Sequence, residues 1–358
     1  MTDLEKLCSR VTEAADCAVI TDDVNRRYFT AMKSSAGTLV VFPEKAYFII
    51  DFRYIEKAKK TVTACEVILQ DKLYEQINSL IEKHGAKTVS VNADTCTLSE
   101  LIAYRQKLNA EVIADTKLAE IIREIRTVKS QEQIDKIIKA QRIAEKGFAH
   151  MLDFIKVGRT EKEIQLELDY YMLKNGAEAL SFDTIALSGS NTSLPHGVPS
   201  DKKVESGEFV LMDFGATYDG WHSDMTRTVC VGKPSDKMKS VYETVLTAQL
   251  TALDAVKAGM SGKALDKIAR DIITEAGYGD NFGHSLGHGV GVEIHESPYA
   301  SPSREDILPE NSIVTVEPGI YLEGKFGVRI EDFVVVTENG CINMTKAPTV
   351  SYTHLTLP

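Results

Sequence analysis

Strand-like and helix-like hydrophobic patterns alternate along the first third of the chain. Short apolar runs bounded by turn residues predict strands, and apolar positions spaced three or four apart predict helices. The predicted strands are 17–21, 37–42, 47–51 and 88–91, and the predicted helices are 53–60, 73–84 and 98–108. This alternation predicts an α/β domain.

A different pattern begins near Val128. Ser130 and Gln133 fit a capping box ahead of a long amphipathic helix, whose apolar stripe runs from Ile134 to Leu152. Three more helices are predicted over 161–175, 237–258 and 262–276, each closed by a glycine. Strand pairs rich in Val, Ile, Phe and Thr lie between and after them. We therefore predict two domains, 1–127 and 128–350.

The last residues, 351–358, read Ser-Tyr-Thr-His-Leu-Thr-Leu-Pro after a strand that should close the sheet. They resemble translated sequencing-adapter text more than a natural protein terminus. We predict that this tail is non-native and leave its His354 out of the functional analysis.

Composition and charge exclude several classes of function. A formal net charge of −11 without a dense basic run argues against nucleic-acid binding. The apolar stretches 39–42 and 46–50 are too short to span a bilayer. The 6 cysteines form no CxxC pair, and the N-terminus shows no secretory pattern. These features predict a cytoplasmic protein with reduced thiols and no membrane or nucleic-acid partner.

A first pair of carboxylates is predicted on one hairpin. Asp213 ends an apolar strand, Asp224 lies in a strand predicted over 222–231, and Asp219–Gly220 between them is a strong turn signal. A tight turn places Thr226 opposite Asp213 and Gly215 opposite Asp224. The two aspartates then share one face as diagonal neighbours roughly 7 Å apart. The residues leave two interpretations open: a pair held by a cation, or two independent turn or surface aspartates.

A second hairpin repeats this arrangement. Glu317 follows the predicted strand 313–316, and Glu331 follows the predicted strand 328–330. The two glutamates are symmetric about Gly324, which lies in a turn-like segment. Lone glutamates in such strands are usually edge residues. A second inward carboxylate pair favours a cation site instead.

Histidines are concentrated in one glycine-rich segment. Residues 283–291 contain His284 and His288, and His295 follows closely. No helix is predicted after this segment and no Lys-Ser/Thr pair closes it, which excludes a phosphate-binding loop. The glycines favour close approach of the backbone to a ligand. His196, on a proline-rich loop, is a fourth candidate.

Asp213, Asp224, Glu317, Glu331 and one histidine suit two divalent ions. The ligand charges roughly cancel those of the cations. Ligation by oxygen atoms and one imidazole favours Mn²⁺, Fe²⁺ or Co²⁺ over a metal that prefers thiolates. Paired ions about 3.5–4 Å apart can acidify a bridging water and polarise a carbonyl together.

These motifs resemble those of the pita-bread metallopeptidases, specifically the Xaa-Pro branch of aminopeptidase P and prolidase (Xaa-Pro dipeptidase). Residues 25–30 and 51–54 look like the creatinase-type N-terminal domain, and residues 128–346 look like the catalytic domain. The resemblance implies an α/β creatinase-type domain followed by an α+β pita-bread domain. The latter would have a curved, mainly antiparallel sheet backed by helices.

The resemblance also implies a role for each site residue. Five positions match metal ligands in type and order: Asp213, Asp224, His288, Glu317 and Glu331. Glu317 would also be the general base. His295 would stabilise the oxyanion and His196 would contact the scissile region. His284 would line the proline pocket, and Arg329 would orient the metal ligands.

The family's chemistry implies two divalent cations, most consistent with Mn²⁺, with Co²⁺, Fe²⁺ or Zn²⁺ as alternatives. Proline-containing peptides would be the substrates and a homodimer the assembly. The reaction would be hydrolysis of the Xaa-Pro bond, which releases the residue before a proline at the second position. Proline lacks an amide hydrogen and fixes φ, so a rigid pocket suits it.

Four alternatives share this fold or its chemistry. Creatinase lacks the metal-ligand set that stands here, and methionine aminopeptidase lacks the N-terminal domain. A catalytically dead binding module would hold no stoichiometric ion pair. A strict dipeptidase needs a cation for the free carboxylate after proline. Arg304 is a candidate for that role, against a simpler interpretation as a solvated loop arginine.

Overall fold

The computed structural model describes residues 1–349 and the backbone of His354–Leu355. Apart from that strand, the predicted non-native tail lies outside the described residues. The chain divides into two compact units, Met1–Arg126 and Thr127–Pro358. No helix among the described residues has the length and apolar content needed to cross a membrane.

The first part of the chain alternates helices with the strands of one mixed sheet. Its helices are α1 (Asp3–Arg10), α2 (Asp23–Thr30), α3 (Ile55–Thr61), α4 (Leu73–His84), α5 (Leu98–Lys107) and α6 (Lys117–Thr127). Its strands are β1 (Cys17–Ile20), β2 (Thr38–Val41), β3 (Ala46–Ile50), β4 (Glu66–Leu69), β5 (Thr88–Val91) and β6 (Glu111–Ile113). The sheet order is β4-β3-β2-β1-β5-β6, with β1–β2 and β2–β3 antiparallel and the other pairs parallel.

Both faces of this sheet are buried, because successive side chains of each strand enter opposite cores. Phe48 and Ile50 of β3 lie in one apolar cluster, whereas Tyr47 and Ile49 lie in the other. The predicted α/β class is confirmed. The short helices α1 and α2 and the strands β4 and β6 were not predicted from the sequence.

The second unit contains four long helices and a set of mainly antiparallel strands. Its helices are α7 (Gln131–Phe154), α8 (Glu161–Lys174), α9 (Asp236–Ala255) and α10 (Gly262–Glu275). Its first strands are β7 (Ala179–Leu180), β8 (Ile185–Ser188), β9 (Glu208–Phe214), β10 (Ala216–Tyr218), β11 (Trp221–His222) and β12 (Met225–Val231). The others are β13 (Gly287–Gly289), β14 (Glu296–Ala300), β15 (Ile313–Val316), β16 (Gly319–Leu322), β17 (Phe326–Arg329), β18 (Asp332–Thr337), β19 (Gly340–Asn343) and β20 (His354–Leu355).

The strands of this unit form several small sheets. β8, β9, β12 and β20 form one, in which β20 pairs with β12 in parallel and the other pairs are antiparallel. The remaining sheets are β7-β10-β11, β13-β14, β15-β18-β19 and β16-β17, all antiparallel. The mainly antiparallel α+β class predicted for this region is confirmed.

Each half of the second unit packs two helices against its strands. Apolar residues of α7 and α8 share a buried cluster with β8, β9 and β12. Residues of α9 and α10 share another with β15, β16, β17 and β18. The predicted stripe of α7 is part of this packing, since Phe148 and Met151 are buried in the first cluster. These helices support the hairpins that carry the candidate site.

Candidate metal centre

The first hairpin has the register that its turn residues predict. Asp219 and Gly220 have φ values of 50° and 81°, which a tight two-residue hairpin turn requires. β10 pairs with β11 next to this turn, and β9 pairs with β12 farther along. Thr226 lies opposite Asp213, as predicted.

This hairpin is interrupted where the second aspartate lies. The predicted continuous strand 222–231 is wrong at 223–224, which separates β11 from β12. Gly215 faces this interruption, and a Cβ atom there would lie 1.9 Å from the carbonyl oxygen of Ser223. The predicted ladder pair of Gly215 with Asp224 is therefore replaced by a close backbone approach. Asp224 lies in the interruption and not in a regular strand.

The second hairpin has the same design. β15 pairs with β18 and β16 pairs with β17 in one continuous register around Gly324. Glu317 and Glu331 occupy the interruption between the two ladders. The Glu317 N–H donates instead to the Leu286 carbonyl at 2.8 Å, and the Glu331 N–H donates to the Thr226 carbonyl at 3.2 Å. These bonds connect the second hairpin to β12 and to the histidine segment.

The two interruptions and the histidine segment place four predicted ligands together. Ligand atoms of Asp224, His288 and Glu331 all lie within 4.8 Å of one another. His288 Nε2 is 3.6 Å from Asp224 Oδ2 and 3.4 Å from Glu317 Oε1. The Asp224 and Glu331 side chains are buried, so this is an interior cluster of carboxylates around one imidazole.

Burial and mutual repulsion perturb the acidic groups of this cluster. Burial and the negative charge of Asp213 raise the pKa of Asp224 well above its ordinary value. Burial and the charges of Asp224 and Glu317 do the same to the pKa of Glu331. Burial opposes the charged form of His288, but its hydrogen bond with Glu317 and the negative charges of Glu317 and Asp224 together outweigh this and raise the His288 pKa to about 9.

Asp213, near the end of β9, completes the set of candidate metal ligands. Its Oδ2 accepts a hydrogen bond from Arg329 Nη2 at 2.6 Å. Its Oδ1 is buried and has no hydrogen-bond partner among the described residues. A buried carboxylate oxygen without a donor is costly unless a cation satisfies it. The free oxygen, the repelling carboxylates and the single imidazole fit divalent metal ions.

Arg329 holds several site residues at once. It donates from Nη2 to Asp213, from Nη1 to the Tyr321 hydroxyl at 2.8 Å and from Nε to Thr226 Oγ1 at 3.0 Å. The Tyr321 hydroxyl is in turn 2.9 Å from His284 Nε2. One buried guanidinium therefore fixes a metal-site carboxylate and, through Tyr321, a histidine.

Tyr321 and Thr226 are site residues that the sequence analysis missed. Thr226 Oγ1 donates to Glu331 Oε2 at 2.7 Å. The signal for Tyr321 was the pair of glycines facing it in the second hairpin. A Cβ at Gly319 would be 2.5 Å from the Tyr321 hydroxyl, and one at Gly327 would be 2.8 Å from the Tyr321 ring. Glycines on the face that carries Arg329 thus leave room for the tyrosine.

The other predicted histidines lie around this cluster. The rings of His288 and His295 are 4.4 Å apart at their centroids. Burial lowers the pKa of His284 and of His295, and the charge of His196 lowers both pKa values further. His196 and His295 are exposed, whereas His284 is half-buried. All four histidines singled out in the sequence therefore interact electrostatically at one site.

Helix α10 holds the backbone of the histidine segment. Asp266 is buried and pairs with Arg270, and its Oδ1 also accepts from the Leu286 N–H at 3.0 Å. Arg270 donates to the carbonyls of Phe282 and His284, each at 2.8 Å. These bonds fix residues 282–286 just before His288.

Comparison with known families and relatives supports this interpretation. Residues 135–338 match metallopeptidase family M24, and residues 4–128 match the Creatinase/Prolidase N-terminal domain. A Pyrococcus furiosus protein named Xaa-Pro dipeptidase is 40% identical over 346 residues, which is 96% of this chain and 97% of that protein.

Two solved structures extend the similarity to the fold. An Xaa-Pro dipeptidase from Bacillus anthracis superimposes with a TM-score of 0.93 at 40% identity, over 97% of this chain and 98% of that chain. An X-Pro aminopeptidase from Thermotoga maritima superimposes with a TM-score of 0.89 at 39% identity, over 94% of this chain and 97% of that chain. The predicted creatinase-type and pita-bread folds are confirmed.

The segment that matches the peptidase family spans more than half of the chain. It contains every carboxylate and histidine of the interior cluster described above. The family implies divalent metal ions, and the donor groups found here fit them. The chain is therefore a metallopeptidase of family M24 with a Creatinase/Prolidase N-terminal domain.

Proposed function

We propose that this chain hydrolyses the bond between a first residue and a proline at the second position, with two divalent cations. The observation that carries the proposal is the interior cluster of Asp224, His288 and Glu331, with Asp213 and Glu317 beside it. The relatives named for Xaa-Pro hydrolysis support the substrate class.

Asp213, Asp224, His288, Glu317 and Glu331 would together hold the pair of ions. Mn²⁺ is the metal we propose, because four carboxylates and one imidazole form a set rich in hard oxygen donors. When bound, the cations would polarise the scissile carbonyl and acidify the attacking water.

The chain's own residues would move protons and orient the peptide. Burial disfavours ionised Glu317, but the hydrogen bond and positive charge of His288, with the charges of His284 and Arg329, together outweigh it and lower the pKa of Glu317 to about 2. Glu317 is therefore ionised and able to accept the proton of the attacking water. His295 would donate to the developing oxyanion, and His196 would contact the peptide next to the proline nitrogen.

The substrate's proline would lie against His284. Tyr321 fixes that ring from one side through its hydroxyl, and Phe282 contacts it edge-on at 5.0 Å between ring centroids. A fixed imidazole and an aromatic wall suit a rigid pyrrolidine ring. Such a site needs no amide hydrogen from the substrate, because the residue after the scissile bond has none to give.

A catalytically active pair of ions can be tested directly. Protein stripped by a chelator and reloaded with Mn²⁺ should bind about two ions per chain and release the first residue from an Xaa-Pro-Yaa tripeptide. An Xaa-Ala-Yaa tripeptide is the matched control and should be cleaved far more slowly. Absence of stoichiometric metal, or equal cleavage of both peptides, would contradict the proposal and favour a binding module.

Strict dipeptidase activity is the second candidate, because two of the relatives are named Xaa-Pro dipeptidases. Against it, Arg304 lies on an exposed loop with its guanidinium 4.1 Å from the Tyr299 ring centroid. We expect Arg304→Ala to change kcat/KM for an Xaa-Pro dipeptide by less than about a factor of two, as is usual for surface positions. A selective loss of dipeptide cleavage, with tripeptide cleavage retained, would assign the carboxylate-binding role to Arg304.

Metal binding should stabilise the fold more at neutral pH than in acid. The raised pKa values of Asp224 and Glu331 mean that the folded metal-free chain binds protons more tightly there than the unfolded chain. This tighter proton binding contributes to the free energy of unfolding below the unfolded carboxyl pKa of about 4. The contribution is lost as pH rises through the pKa values of the folded state. The metal-free protein is thus least stable where the carboxylates are charged, and cations remove that repulsion.

The measurement is the melting temperature with one fixed Mn²⁺ concentration and with chelator, at pH 5.5 and at pH 7.5. A concentration of a hundred times the Kd at pH 7.5 contributes about 2.7 kcal/mol at that pH. We expect the stabilisation by Mn²⁺ to be larger at pH 7.5, because protons compete for the same oxygens at pH 5.5. Equal stabilisation at both values would show that these carboxylates do not hold the metal.

We propose further that residues 1–127 are the creatinase-type domain and residues 128–350 the catalytic domain. The two compact units and the matched segments support this division. The homodimer and the cytoplasmic location stay predictions from the sequence.

A further inference from the structure

Glu161 is a fully buried carboxylate outside the metal centre. It is the first residue of α8 and has 0% exposure. Oε1 accepts from the N–H and hydroxyl of Ser188, at 2.7 and 3.1 Å, and from Asn191 Nδ2 at 3.0 Å. Oε2 accepts from the N–H and hydroxyl of Ser200, at 3.0 and 2.6 Å, and again from Asn191 Nδ2 at 3.2 Å. Burying a carboxylate is costly unless hydrogen-bond donors satisfy it. The strong bonds to Glu161 also fix the residues that donate them.

The donors to Glu161 come from the two ends of one loop. Ser188 is the last residue of β8, and Ser200 follows a short 3₁₀ turn and a proline-rich segment. We call residues 189–200 the His196 loop. The first turn of α8 adds backbone bonds to the same end, since the Lys162 N–H donates to the Ser200 carbonyl at 3.1 Å. One carboxylate therefore closes the His196 loop at its base.

The other side of this loop contacts the hairpin that carries Arg329. The Gly327 N–H donates to Thr192 Oγ1 at 2.8 Å, and Arg329 Nη1 lies 3.4 Å from the Pro195 carbonyl oxygen. The loop thus spans from Glu161 to a residue that orients the metal ligand Asp213. Its position is fixed relative to the proposed reaction centre at both ends.

His196 depends on this loop for its position. Its side chain is exposed, and within residues 1–349 no hydrogen bond to its imidazole is seen. An exposed side chain without such a hydrogen bond depends on its backbone for its position. Ordering that backbone costs conformational entropy, which the bonds to Glu161 offset before substrate arrives.

We propose that Glu161 is a positioning residue that fixes the His196 loop and thereby places His196 beside the proline nitrogen of the substrate. This inference rests on the proposed function of His196. Glu161 itself touches no reacting atom. Its effect on catalysis passes through the loop, so it should vanish when His196 is absent.

The main variant is Glu161→Gln, which keeps the shape of the side chain but replaces one accepting carboxylate oxygen by an NH₂ group that can only donate. The amide would face the donors of Ser188 or of Ser200 and release one end of the loop. A misplacement of about 1 Å can cost about a hundredfold. We expect kcat for an Xaa-Pro-Yaa tripeptide to fall about tenfold to a hundredfold, with KM changed less and the Mn²⁺ content unchanged.

Glu163→Gln is the matched control. Glu163 lies on the same first turn, is exposed, and caps the helix through the Thr160 N–H at 2.8 Å. Glutamine retains that capping role, so the kinetics and the hydrogen-exchange rates of the His196 loop should stay as in the unmodified chain. Ser200→Ala is a milder second variant that removes only one donor from Glu161. It should shift kcat in the same direction by a smaller factor.

A double-variant cycle separates positioning from a merely structural role. Glu161→Gln should have no further effect on kcat in a His196→Ala background, because the loop then carries nothing to position. An equal loss in both backgrounds would show that Glu161 acts on the fold and would overturn the proposal. Unchanged kinetics in Glu161→Gln and Ser200→Ala would overturn it as well.

Hydrogen exchange of residues 189–200 gives a readout that needs no activity. We expect faster exchange in Glu161→Gln than in the unmodified chain or in Glu163→Gln. Unchanged exchange would overturn the loop-fixing role. If the unmodified Mn²⁺ form cleaved no Xaa-Pro peptide, the proposed function and the catalytic role of Glu161 would both fall. Faster exchange would then support only a structural role, which makes the two failures distinguishable.

Discussion

Replacing Asp224 by Asn should abolish most hydrolysis of an Xaa-Pro-Yaa tripeptide. Asp224 is buried, its Oδ2 lies 3.6 Å from His288 Nε2, and it is a proposed ligand of the cations. An amide keeps the shape but supplies one neutral oxygen in place of a charged carboxylate, so it should hold divalent cations far more weakly. Because a bound divalent cation can supply several kcal/mol of transition-state stabilisation, we expect kcat/KM to fall by about a thousandfold or more.

The same substitution should have an opposite effect on the metal-free fold. The unmodified carboxylate is repelled by Asp213 and disfavoured by burial, which raises its pKa. Asn removes this charge, so metal-free Asp224→Asn should melt above the metal-free unmodified protein at pH 7.5. With Mn²⁺ the order should reverse, because the variant binds the ions weakly. A reversal of this kind cannot come from general misfolding.

Asp219→Asn provides the control within the same hairpin. Asp219 lies in the turn with φ 50°, which asparagine adopts readily, and its carboxylate is partly exposed beside Lys136. The loss of an exposed ion pair costs about 0–1 kcal/mol, so metal content and kcat should be nearly unchanged. If Asp224→Asn kept the ion content and the kinetics of the unmodified chain, the assignment of Asp224 as a ligand would be contradicted.

The predictable part of the site follows from local turn chemistry. Asp219 and Gly220 fix the turn of the first hairpin, and that turn alone sets which residues face each other. The same reasoning around Gly324 placed Glu317 and Glu331 in register. A short turn determines a register for many residues, so carboxylates far apart in the chain could be paired without a structure.

The interruptions in these hairpins could not be predicted in the same way. The ladder stops at Gly215 because the backbone at Ser223 approaches where a side chain would be. The N–H of Glu317 bonds to Leu286, which belongs to a segment far from the hairpin in sequence. The second contact is tertiary, and the first is a local backbone approach that the pattern of apolar and polar residues does not show.

Supporting residues were missed for a similar reason. Glu161 and Glu163 look equivalent in the sequence, as two glutamates in the first turn of one helix. In the structure Glu163 caps the helix in solvent, whereas Glu161 is buried beneath a loop from another part of the unit. Only the neighbours of a side chain distinguish such roles, and those neighbours are set by the fold.

The helices and strands of the first unit were also predicted only in part. The predicted strand 88–91 and helix 73–84 have the bounds of β5 and α4, since clear apolar runs end in turn residues or in Gly85. β4 was missed because its central residues are only half-buried and its ends are exposed, which leaves little hydrophobic contrast. Its pairing with β3 depends on a neighbour and not on its own pattern.

Arg227→Met should cause a large loss of stability in the second unit. Arg227 is 2% exposed and pairs with buried Asp332 at 2.6 Å. It also donates to the carbonyls of Thr226 at 2.9 Å, of Glu331 at 2.5 Å and of Ala347 at 2.8 Å. The variant would leave these acceptors with fewer donors and Asp332 with a buried, uncompensated charge.

We expect the free energy of unfolding to fall by about 3–5 kcal/mol, which is usual when one partner of a buried ion pair is removed. Gln249 and Asn343 still donate to Asp332 Oδ2, at 3.0 and 2.8 Å, so the carboxylate keeps some neutral partners. Urea unfolding at equilibrium, followed by circular dichroism, measures the loss. Mn²⁺ affinity should fall as well, because Arg227 holds the main chain of Glu331.

Lys267→Met makes the same exchange of a cation for methionine at an exposed pair. Lys267 and Asp271 are 2.6 Å apart, with side chains 71% and 52% exposed. Water already solvates both partners, so the variant should lose less than about 1 kcal/mol. A loss in Arg227→Met no larger than in Lys267→Met would show that the buried guanidinium does not hold β12 to the Glu331 hairpin. This contact would then not position the metal ligands, and the proposed ligands would still be tested by Asp224→Asn.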